Sequence, residues 1–246
     1  MQMRLDKFLA QSGVGTRSEI KKEIKRKLVT VNGITAQKPE LKIDTDSDTI
    51  CYAGKQIIYE PFSYYLFYKP AGCVTARTDT KEKTVMDYFP ESMRKTFSPV
   101  GRLDKDTEGL LLVTNDGNLN HRLSAPSYHV EKTYYAILDT PVPKEAREVF
   151  LNGVDIGDDK PTLPAKLTIL SSIDEAELTI CEGRFHQVKR MFEAIGCRVC
   201  YLKRISFGNL TLAGLKKAAF RKLTEDEIAF LKNKTKKKNE NIPSGG

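Results

Sequence analysis

The chain has 246 residues and carries 40 Lys and Arg against 32 Asp and Glu, which gives a formal net charge of +8 at pH 7. Its hydrophobic share of 40% and charged share of 29% are ordinary for a globular protein and exclude a wholly disordered chain. The longest aliphatic run, Leu110 to Val113, is far shorter than the ~20 residues of a membrane span, so we expect no membrane insertion.

The N-terminus and the cysteines predict the cellular setting. The first residues, Met-Gln-Met-Arg-Leu-Asp, become charged at once and lack the apolar core of a signal peptide. The five cysteines are an odd number, which argues against a disulfide framework, and Cys197-Arg-Val-Cys200 has no second pair with which to bind zinc. We therefore expect a cytoplasmic protein whose cysteines hold no zinc, and its basic charge favours an anionic partner.

The excess positive charge lies at the two ends of the chain. Residues 1–38 hold nine Lys and Arg against three acidic residues, and residues 232–246 hold five lysines against one glutamate. Residues 39–231 carry a net charge of −2. The Lys- and Asn-rich segment 232–246 cannot bury enough apolar surface to offset its ordering entropy, so we predict a disordered basic tail there.

Two helices are predicted in the first thirty residues from apolar residues at helical spacing. The first ends at Gly13, and the second runs from Arg17 to Lys27 behind the candidate N-cap Thr16. The apolar positions of the two helices are Leu5, Phe8, Leu9, Ile20, Ile24 and Leu28.

Two extended pairs follow these helices. The first is centred on Asn32-Gly33, a strong hairpin signal between short apolar runs, and the second flanks Gly54. The preceding helix is very basic, because five of the seven residues 21–27 are Lys or Arg and only Glu23 opposes them. Such a helix is normally a solvated face, but this density of positive charge also suits the phosphates of a nucleic acid.

Three segments in this region carry a resemblance to a known domain: Arg4-Leu-Asp-Lys-Phe-Leu, Thr16-Arg-Ser-Glu and Leu28-Val-Thr-Val-Asn-Gly. They resemble the small RNA-binding domain named after ribosomal protein S4, in which paired helices and the following hairpin cradle structured RNA. The resemblance implies RNA contacts at Arg4, Arg17, Lys21, Lys22, Lys25 and Lys27.

The first catalytic candidate is a polar loop that directly precedes a buried strand. Gly101-Arg-Leu-Asp-Lys-Asp-Thr-Glu-Gly109 leads into Leu110 to Thr114, and it follows a Lys69-Pro-Ala-Gly72 turn. The alternating acidic residues of the loop imitate the start of a calcium loop, but the position that requires a bidentate glutamate holds Asn115. On these residues alone, a salt-bridged surface loop remains an alternative.

Two further candidates come later in the chain. Glu131 to Ile137 is a predicted strand that presents Lys132 and Tyr134 on one face, although tyrosine in a strand commonly belongs to the core or the sheet surface. Glu182 to Phe192 is read as a helix that ends at Gly196 and buries an apolar stripe. Its basic residues, Arg184, Lys189 and Arg190, are then free for phosphates or for a carboxylate.

Taken together, these segments resemble the pseudouridine synthases in order and spacing. The motifs are Lys69-Pro-Ala-Gly72, Gly101-Arg-Leu-Asp104, Lys132-Thr-Tyr134 and Gly183-Arg-Phe-His-Gln-Val-Lys-Arg190. Within that family, Ser124 to Tyr134 and His186 to Met191 look like the branch that acts on small-subunit (16S) ribosomal RNA. Relatives that act on the large subunit more often have the sequence Asn-Arg-Gln-Ile-Arg-Arg in place of His186 to Met191.

The resemblance implies a mechanism that needs no cofactor. Asp104 would act as the catalytic nucleophile or base, Arg184 would pair with it, and Tyr134 would stack on the target uracil. His186 is expected to be structural or to face RNA. Further contacts to the RNA substrate would come from Arg102, Lys132, Lys189 and Arg190.

The expected architecture is α+β. The resemblance implies a small S4-like RNA-binding domain over residues 1–60 and a catalytic domain with a mixed, mainly antiparallel sheet flanked by helices over 61–231. We predict the tail over 232–246. A short last helix is predicted behind the capping box at Thr224. The expected partner is ribosomal RNA, within a small-subunit assembly intermediate, bound by a monomer. A large-subunit RNA enzyme and a non-catalytic RNA-binding assembly factor are the alternatives.

Overall fold

The computed structural model describes residues 2–58 and 62–236. The chain forms two compact units, Met1–Phe62 and Ser63–Gly246. The boundary predicted between residues 60 and 61 falls in a segment, 59–61, that lies outside the described residues.

The N-terminal unit combines two helices with short strands. A two-stranded antiparallel sheet pairs β1 with β4, and a four-stranded antiparallel sheet has the order β3-β2-β5-β6. The elements are β1 (Gln2–Arg4), α1 (Leu5–Gln11), α2 (Arg17–Lys25), β2 (Val29–Val31), β3 (Ile34–Thr35), β4 (Lys42–Asp44), β5 (Ile50–Tyr52) and β6 (Lys55–Gln56).

Local sequence signals place these elements. The Thr16 hydroxyl accepts a hydrogen bond from the backbone N–H of Glu19, and the Glu19 carboxylate accepts one from the Thr16 N–H, so a capping box starts α2. Asn32 and Gly33 both have positive φ, as the predicted hairpin turn requires. The prediction that Leu28 is an apolar position of the second helix was wrong: α2 ends at Lys25, Lys27 turns left-handed, and Leu28 is 38% exposed.

The second unit is built on a nine-stranded mixed sheet within the described residues. The strand order is β11-β12-β10-β13-β9-β7-β15, with β14 paired to β13 and β8 paired to β9, and of these pairs only β13 with β9 is parallel. The strands are β7 (Tyr64–Lys69), β8 (Ser98–Val100), β9 (Glu108–Thr114), β10 (Lys132–Leu138), β11 (Lys166–Ile169), β12 (Glu175–Ile180), β13 (Val199–Phe207), β14 (Leu210–Thr211) and β15 (Phe220–Lys222). The helices are α3 (Glu91–Arg94), α4 (Gly117–Ser124), α5 (Ala146–Asn152), α6 (Gln187–Glu193) and α7 (Glu225–Lys234).

Strand β9 is the centre of the core, because all seven of its residues are buried. Leu111 and Val113 pack into the cluster that includes α5 and α6, whereas Leu110 and Leu112 pack on the opposite face with α4 and α7. Successive side chains of a strand point to opposite faces, so a continuous apolar run is expected where both faces are covered. The observed architecture confirms the predicted α+β class.

The last helix continues further than the sequence predicted. The capping box at Thr224 and Glu227 starts α7 as expected. The helix then runs to Lys234, and Thr235 is buried with its hydroxyl donating to the Leu231 carbonyl, so residues 232–236 are not the disordered start of a tail. The rest of the predicted tail, residues 237–246, lies outside the described residues. None of the helices in the described parts of the chain has the length and apolar character of a membrane span.

Candidate active site

A cleft of about 560 Å³ opens in the second unit, and the three sequence-predicted catalytic residues all line it. One wall is the loop that precedes β9 and contains Asp104. The floor comes from β10 and β13, including Tyr134, and the other wall is the segment from Gly183 into α6, including Arg184. The fold therefore brings together Asp104 and Arg184, which are 80 residues apart in the sequence, in one cleft.

A buried lysine holds the Asp104 loop in place. The Lys69 side chain is fully buried, and its ammonium donates to the carbonyls of Asp104 at 2.9 Å, Thr107 at 2.8 Å, Pro70 at 3.1 Å and Lys105 at 3.3 Å. Burial lowers the pKa of Lys69, although nearby groups that include Asp104 act in the opposite direction. Four carbonyl acceptors compensate a cation with little access to water, so Lys69 fixes the backbone that carries Asp104.

A second set of hydrogen bonds ties the same loop to the segment after β7. The Thr75 hydroxyl donates to the Leu103 carbonyl at 2.7 Å and accepts from the Leu103 N–H at 3.1 Å. The Gly72 N–H donates to the Lys105 carbonyl at 2.8 Å. The Lys69-Pro-Ala-Gly72 turn and the polar loop, which the sequence singled out separately, are thus parts of one rigid wall.

Asp104 is paired with Lys189 rather than with Arg184, so the predicted Arg184 pairing was wrong. The Lys189 ammonium lies 3.2 Å from one Asp104 carboxylate oxygen, and it also bonds both oxygens of Asp106 at 2.7 and 2.9 Å. Burial opposes the charge on Lys189, but the two carboxylates outweigh it and raise the pKa of Lys189. The other Asp104 oxygen is 3.6 Å from His186 Nε2.

The Arg184 guanidinium points to a different part of the protein. It donates to the carbonyls of Lys160 at 2.6 Å and Pro161 at 2.7 Å, and it pairs with Glu182 at 3.1 Å and Asp158 at 3.4 Å. Three of these four acceptors belong to the 158–161 loop, so the Arg184 guanidinium is held on that loop and not on Asp104.

Arg190 is also engaged within the protein and is not free for RNA. Its guanidinium donates to the Ile156 and Phe185 carbonyls and pairs with Asp158 at 2.5 Å. The physical reason is the start of the helix: α6 begins only at Gln187, after His186 turns left-handed with φ +48°. This turn directs Lys189 toward Asp104, while Arg184 and Arg190 face the 156–161 segment.

Tyr134 and Lys132 lie on the floor of the cleft, on one face of β10 as predicted. Tyr134 is 7% exposed, and its hydroxyl lies 3.5 Å from Arg204 Nη1. A register shift in the β10–β13 pairing sets Tyr134 opposite Arg204 and Lys132 opposite Phe207. Burial, followed by the charge of Arg204, lowers the pKa of Lys132 to about 8.

Gly109 allows the cleft floor to approach the Asp104 wall. Gly109 has φ +113° and is paired with Arg204 in the parallel contact between β9 and β13. A Cβ built at Gly109 would lie 2.2 Å from the Arg204 carbonyl oxygen and 2.6 Å from its nitrogen. Since no side chain can occupy that space, only glycine permits this close approach of the two strands.

The predicted RNA-binding residues occupy different environments. Arg4 is held by Asp6 in a bidentate pair at 2.8 and 3.0 Å, while Arg102 is exposed at the cleft. The other predicted RNA contacts of the N-terminal unit are exposed and form no ion pair with any described residue. We call them the basic patch: Arg17, Lys21, Lys22, Lys25 and Lys27.

Sequence reasoning missed three features of the site. Lys69 was noted only as the first residue of a turn motif, and Arg204 was not singled out. A buried cation in a strand has no local signature, and the distant partners of these two residues lie 35 to 94 residues away in the sequence. The third is Phe185, which is 73% exposed, stacks on His186 with ring centroids 3.8 Å apart and lines the cleft. An exposed aromatic residue beside basic residues favours stacking with a nucleobase.

The arrangement can support proton transfer or nucleophilic attack by a single carboxylate. Asp104 is partly exposed at 27%, so it is accessible from the cleft, and it is held between a lysine and a histidine. A flat aromatic side chain, Tyr134, lies on the floor next to two cations. In the described parts of the chain, no three His, Cys, Asp or Glu residues are grouped to hold a metal ion.

Comparison with known proteins gives two family matches. Residues 63–194 match the RNA pseudouridylate synthase family, and residues 3–50 match the S4 domain. A protein of Bacillus subtilis (strain 168), named uncharacterized RNA pseudouridine synthase YtzG, is 42% identical over 93% of this chain and 98% of its own length.

Relatives with a more specific name and a solved structure are also similar. Ribosomal small subunit pseudouridine synthase A is 40% identical in Pasteurella multocida (strain Pm70) and 39% identical in Escherichia coli (strain K12), each over 92% of this chain and 98–99% of the relative. The crystal structure of a pseudouridylate synthase superposes with a TM-score of 0.67 at 36% identity, over 93% of this chain and 99% of that one.

Proposed function

The chain belongs to the RNA pseudouridylate synthase family, and from that premise we propose that it converts a uridine of small-subunit (16S) ribosomal RNA into pseudouridine, with Asp104 as the catalytic carboxylate and without a cofactor. The observation that carries the proposal is the accessible Asp104 carboxylate, held beside Lys189 on a fixed loop above Tyr134. The names of the small-subunit relatives support the choice of RNA.

The reaction requires the target uracil to leave its stack and enter the cleft. Extrusion of a base costs a few kcal/mol. Tyr134 then stacks on the uracil, and Asp104 acts as nucleophile at the ribose C1′ or as base at C2′. In both cases the bond between C1′ and N1 breaks, the base turns, and C5 bonds to C1′, so the product is an isomer of the substrate and no oxidant is needed. Lys189 stays paired with the Asp104 carboxylate in this step, the pairing that the sequence had assigned to Arg184.

The basic patch of the N-terminal unit supplies affinity for RNA. It consists of the exposed residues Arg17, Lys21, Lys22, Lys25 and Lys27. Contacts between such residues and phosphates release counterions and do not depend on base sequence. The protein acts as a monomer in the cytoplasm, on ribosomal RNA within a small-subunit assembly intermediate.

The test is to map pseudouridine at single-nucleotide resolution in 16S and 23S RNA after incubation with the purified full chain and a metal chelator. The proposal predicts one new pseudouridine in 16S RNA and none with the Asp104→Asn variant. New pseudouridine in 23S RNA alone would instead establish the large-subunit function. Tight RNA binding with no product in either RNA or in an assembly intermediate would establish a non-catalytic binding protein.

A further inference from the structure

Two cations on the cleft floor have no carboxylate partner. Arg204 is 2% exposed and Lys132 is partly buried, and both line the cleft. Arg204 Nε donates to the Leu110 carbonyl at 2.7 Å, and the Lys132 ammonium donates to the Val130 carbonyl at 2.8 Å. Within the described residues, neither cation forms an ion pair. A buried charge without a counterion is costly, so these positions call for a functional explanation.

Hydrogen-bonding capacity is also left unused at this cleft. Three buried side-chain polar atoms in the described parts of the chain have no partner: Ser12 Oγ, Thr107 Oγ1 and Arg204 Nη2. Two of the three belong to residues that line the cleft. Unsatisfied buried polar atoms are rare in folded proteins, and their concentration here indicates that a polar ligand completes the site.

The two cations also share one aromatic neighbour and interact electrostatically. Both approach the ring of Phe207, with Lys132 Nζ at 5.5 Å and the Arg204 guanidinium carbon at 5.4 Å from the ring centroid. The charge of Arg204 contributes to the low pKa of Lys132, after burial. Two like charges that interact in a partly dry site repel each other, and an anion near both of them offsets that repulsion.

We infer that Lys132 and Arg204 form a cationic floor that stabilises the uracil base while it is detached from the ribose as an anion. This inference rests on the proposed function. When the bond between C1′ and N1 breaks, its electron pair leaves with the base, and the negative charge spreads over N1 and the two carbonyl oxygens. Fixed positive charges at the floor lower the energy of this anion without having to reorganise, which speeds bond cleavage. The charge disappears when C5 bonds to C1′ and the C5 proton is transferred to N1.

The depth of the cations favours the base over a phosphate as the anion. The exposed cation of the Asp104 wall, Arg102, is available to the sugar-phosphate backbone. Arg204 at 2% exposure is accessible only to the part of the substrate that enters the cleft, and that part is the extruded base.

The experiment compares two target nucleosides in single-turnover reactions of the full chain at saturating RNA. Transcripts carry uridine or 5-fluorouridine at the target position, and the loss of the intact nucleoside is measured after digestion. The departing 5-fluorouracil anion is a weaker base than the uracil anion, so it depends less on external stabilisation. Lys132→Met is expected to slow the loss of uridine at least 30-fold. The factor by which it slows the loss of 5-fluorouridine should be at least five times smaller than the factor for uridine.

Two further variants make the result specific. Lys166→Met removes the same charge from an exposed position on the edge strand β11, and we expect rates within twofold of the wild type on both substrates. Arg204→Lys keeps a cation on the floor, and its relative rates on the two substrates should therefore stay close to those of the wild type.

Lys132→Met should also raise the melting temperature, because it removes a like-charge repulsion, whereas a residue needed only for folding would lower it. Equal slowing of both substrates by Lys132→Met would overturn the inference while leaving the proposed function intact. A weakened RNA affinity with unchanged rates at saturation would assign the cations to a phosphate and would also overturn it. A wild type that converts neither substrate would refute the proposed function and the inference together.

Discussion

The two units use positive charge in opposite ways. The N-terminal unit carries lysines and arginines on the surface of α2, where each is solvated and makes few contacts. Residues 39–231, which include most of the second unit, carry a net charge of −2. The second unit nevertheless buries Lys69 and Arg204 and partly buries Lys132. Exposed charges cost little and attract any polyanion, whereas buried ones are costly and are kept only for a particular purpose.

The buried cations themselves divide into two kinds. Lys69 is surrounded by four carbonyl acceptors, so its charge is compensated and its role is to hold the Asp104 loop. Lys132 has one carbonyl acceptor, and Arg204 retains an unsatisfied Nη2. The difference shows that burial alone does not mark a functional cation. A buried cation is indicated to be functional when the protein satisfies its charge or its hydrogen bonds incompletely.

The largest expected effect separates Lys189 from Arg184. Lys189→Met removes the cation beside Asp104, so we expect the single-turnover rate at saturating RNA to fall by about 100-fold or more, as is common when a group that assists a catalytic acid or base is lost. Arg184→Met should reduce the rate less than tenfold but lower the melting temperature, because the Lys160 and Pro161 carbonyls lose their donor. A larger loss of rate with Arg184→Met than with Lys189→Met would instead show that Arg184 is the functional partner of Asp104.

The next effect concerns the close approach at Gly109. Gly109→Ala places a methyl group 2.2 Å from the Arg204 carbonyl oxygen, so we expect a loss of about 3 kcal/mol in the free energy of unfolding, measured by urea denaturation. Gly214→Ala is the matched control, since Gly214 has φ +72° but nothing within 4 Å of the added Cβ. Its expected cost is about 1 kcal/mol, from backbone conformation alone. Equal costs would show that the β9–β13 contact is not tight.

A third prediction uses pH to examine Lys132, whose charge interacts with Arg204, Cys181 and Glu182. Burial and Arg204 lower the pKa of Lys132 from 10.5 to about 8 in the fold, while Cys181 and Glu182 act in the opposite direction. Below pH 8 the folded and unfolded chains are both protonated at Lys132, so the full cost of the buried charge is present. Between pH 8 and 10.5 the unfolded chain binds more protons, and this group therefore makes stability rise with pH.

Lys132→Met should accordingly be more stable than the wild type by about 1 to 3 kcal/mol at pH 7. The difference should shrink as the pH rises from 8 toward 10.5, as measured by urea denaturation at a series of pH values. A variant that is less stable at pH 7, or a difference that does not depend on pH, would show that Lys132 is not a strained cation.

The smallest effect belongs to the surface charges. Replacing Lys21, Lys22 and Lys25 with Ala should weaken binding to 16S RNA about tenfold and reduce the salt dependence of the affinity by ~0.7 to 0.9 per lost phosphate contact. The rate at saturating RNA should not change. The control replaces three exposed lysines of the second unit, Lys144, Lys166 and Lys216, with Ala. If both triple variants lose the same affinity, the positive charge of the N-terminal unit acts only through the net charge of the protein.

The sequence predicted features that depend on neighbouring residues. The Thr16 N-cap, the Thr224 capping box and the Asn32-Gly33 turn are each encoded within four residues, and the structure contains all three. The Asp104 and Tyr134 motifs were recognised by resemblance, and the fold places both in one cleft.

Other features depend on contacts that no local pattern reveals. Whether Lys189 or Arg184 meets Asp104 is decided by the left-handed turn at His186 and by acceptors on the 158–161 loop. The role of Lys69 depends on carbonyls 35 to 38 residues away, and that of Arg204 on a glycine in another strand. Because charge and spacing are the same for several basic residues of the 184–190 segment, only the tertiary structure distinguishes a catalytic partner from a structural one.

The most direct test of the account compares the two carboxylates that share Lys189. Asp104→Asn and Asp106→Asn make the same chemical change two residues apart, and both contact the same ammonium. In single-turnover conversion of the 16S RNA target, we predict no detectable pseudouridine with Asp104→Asn, with RNA affinity close to that of the wild type, and less than a tenfold loss of rate with Asp106→Asn. Product formation by Asp104→Asn, or an equal loss in both variants, would contradict the assignment of Asp104 as the catalytic carboxylate.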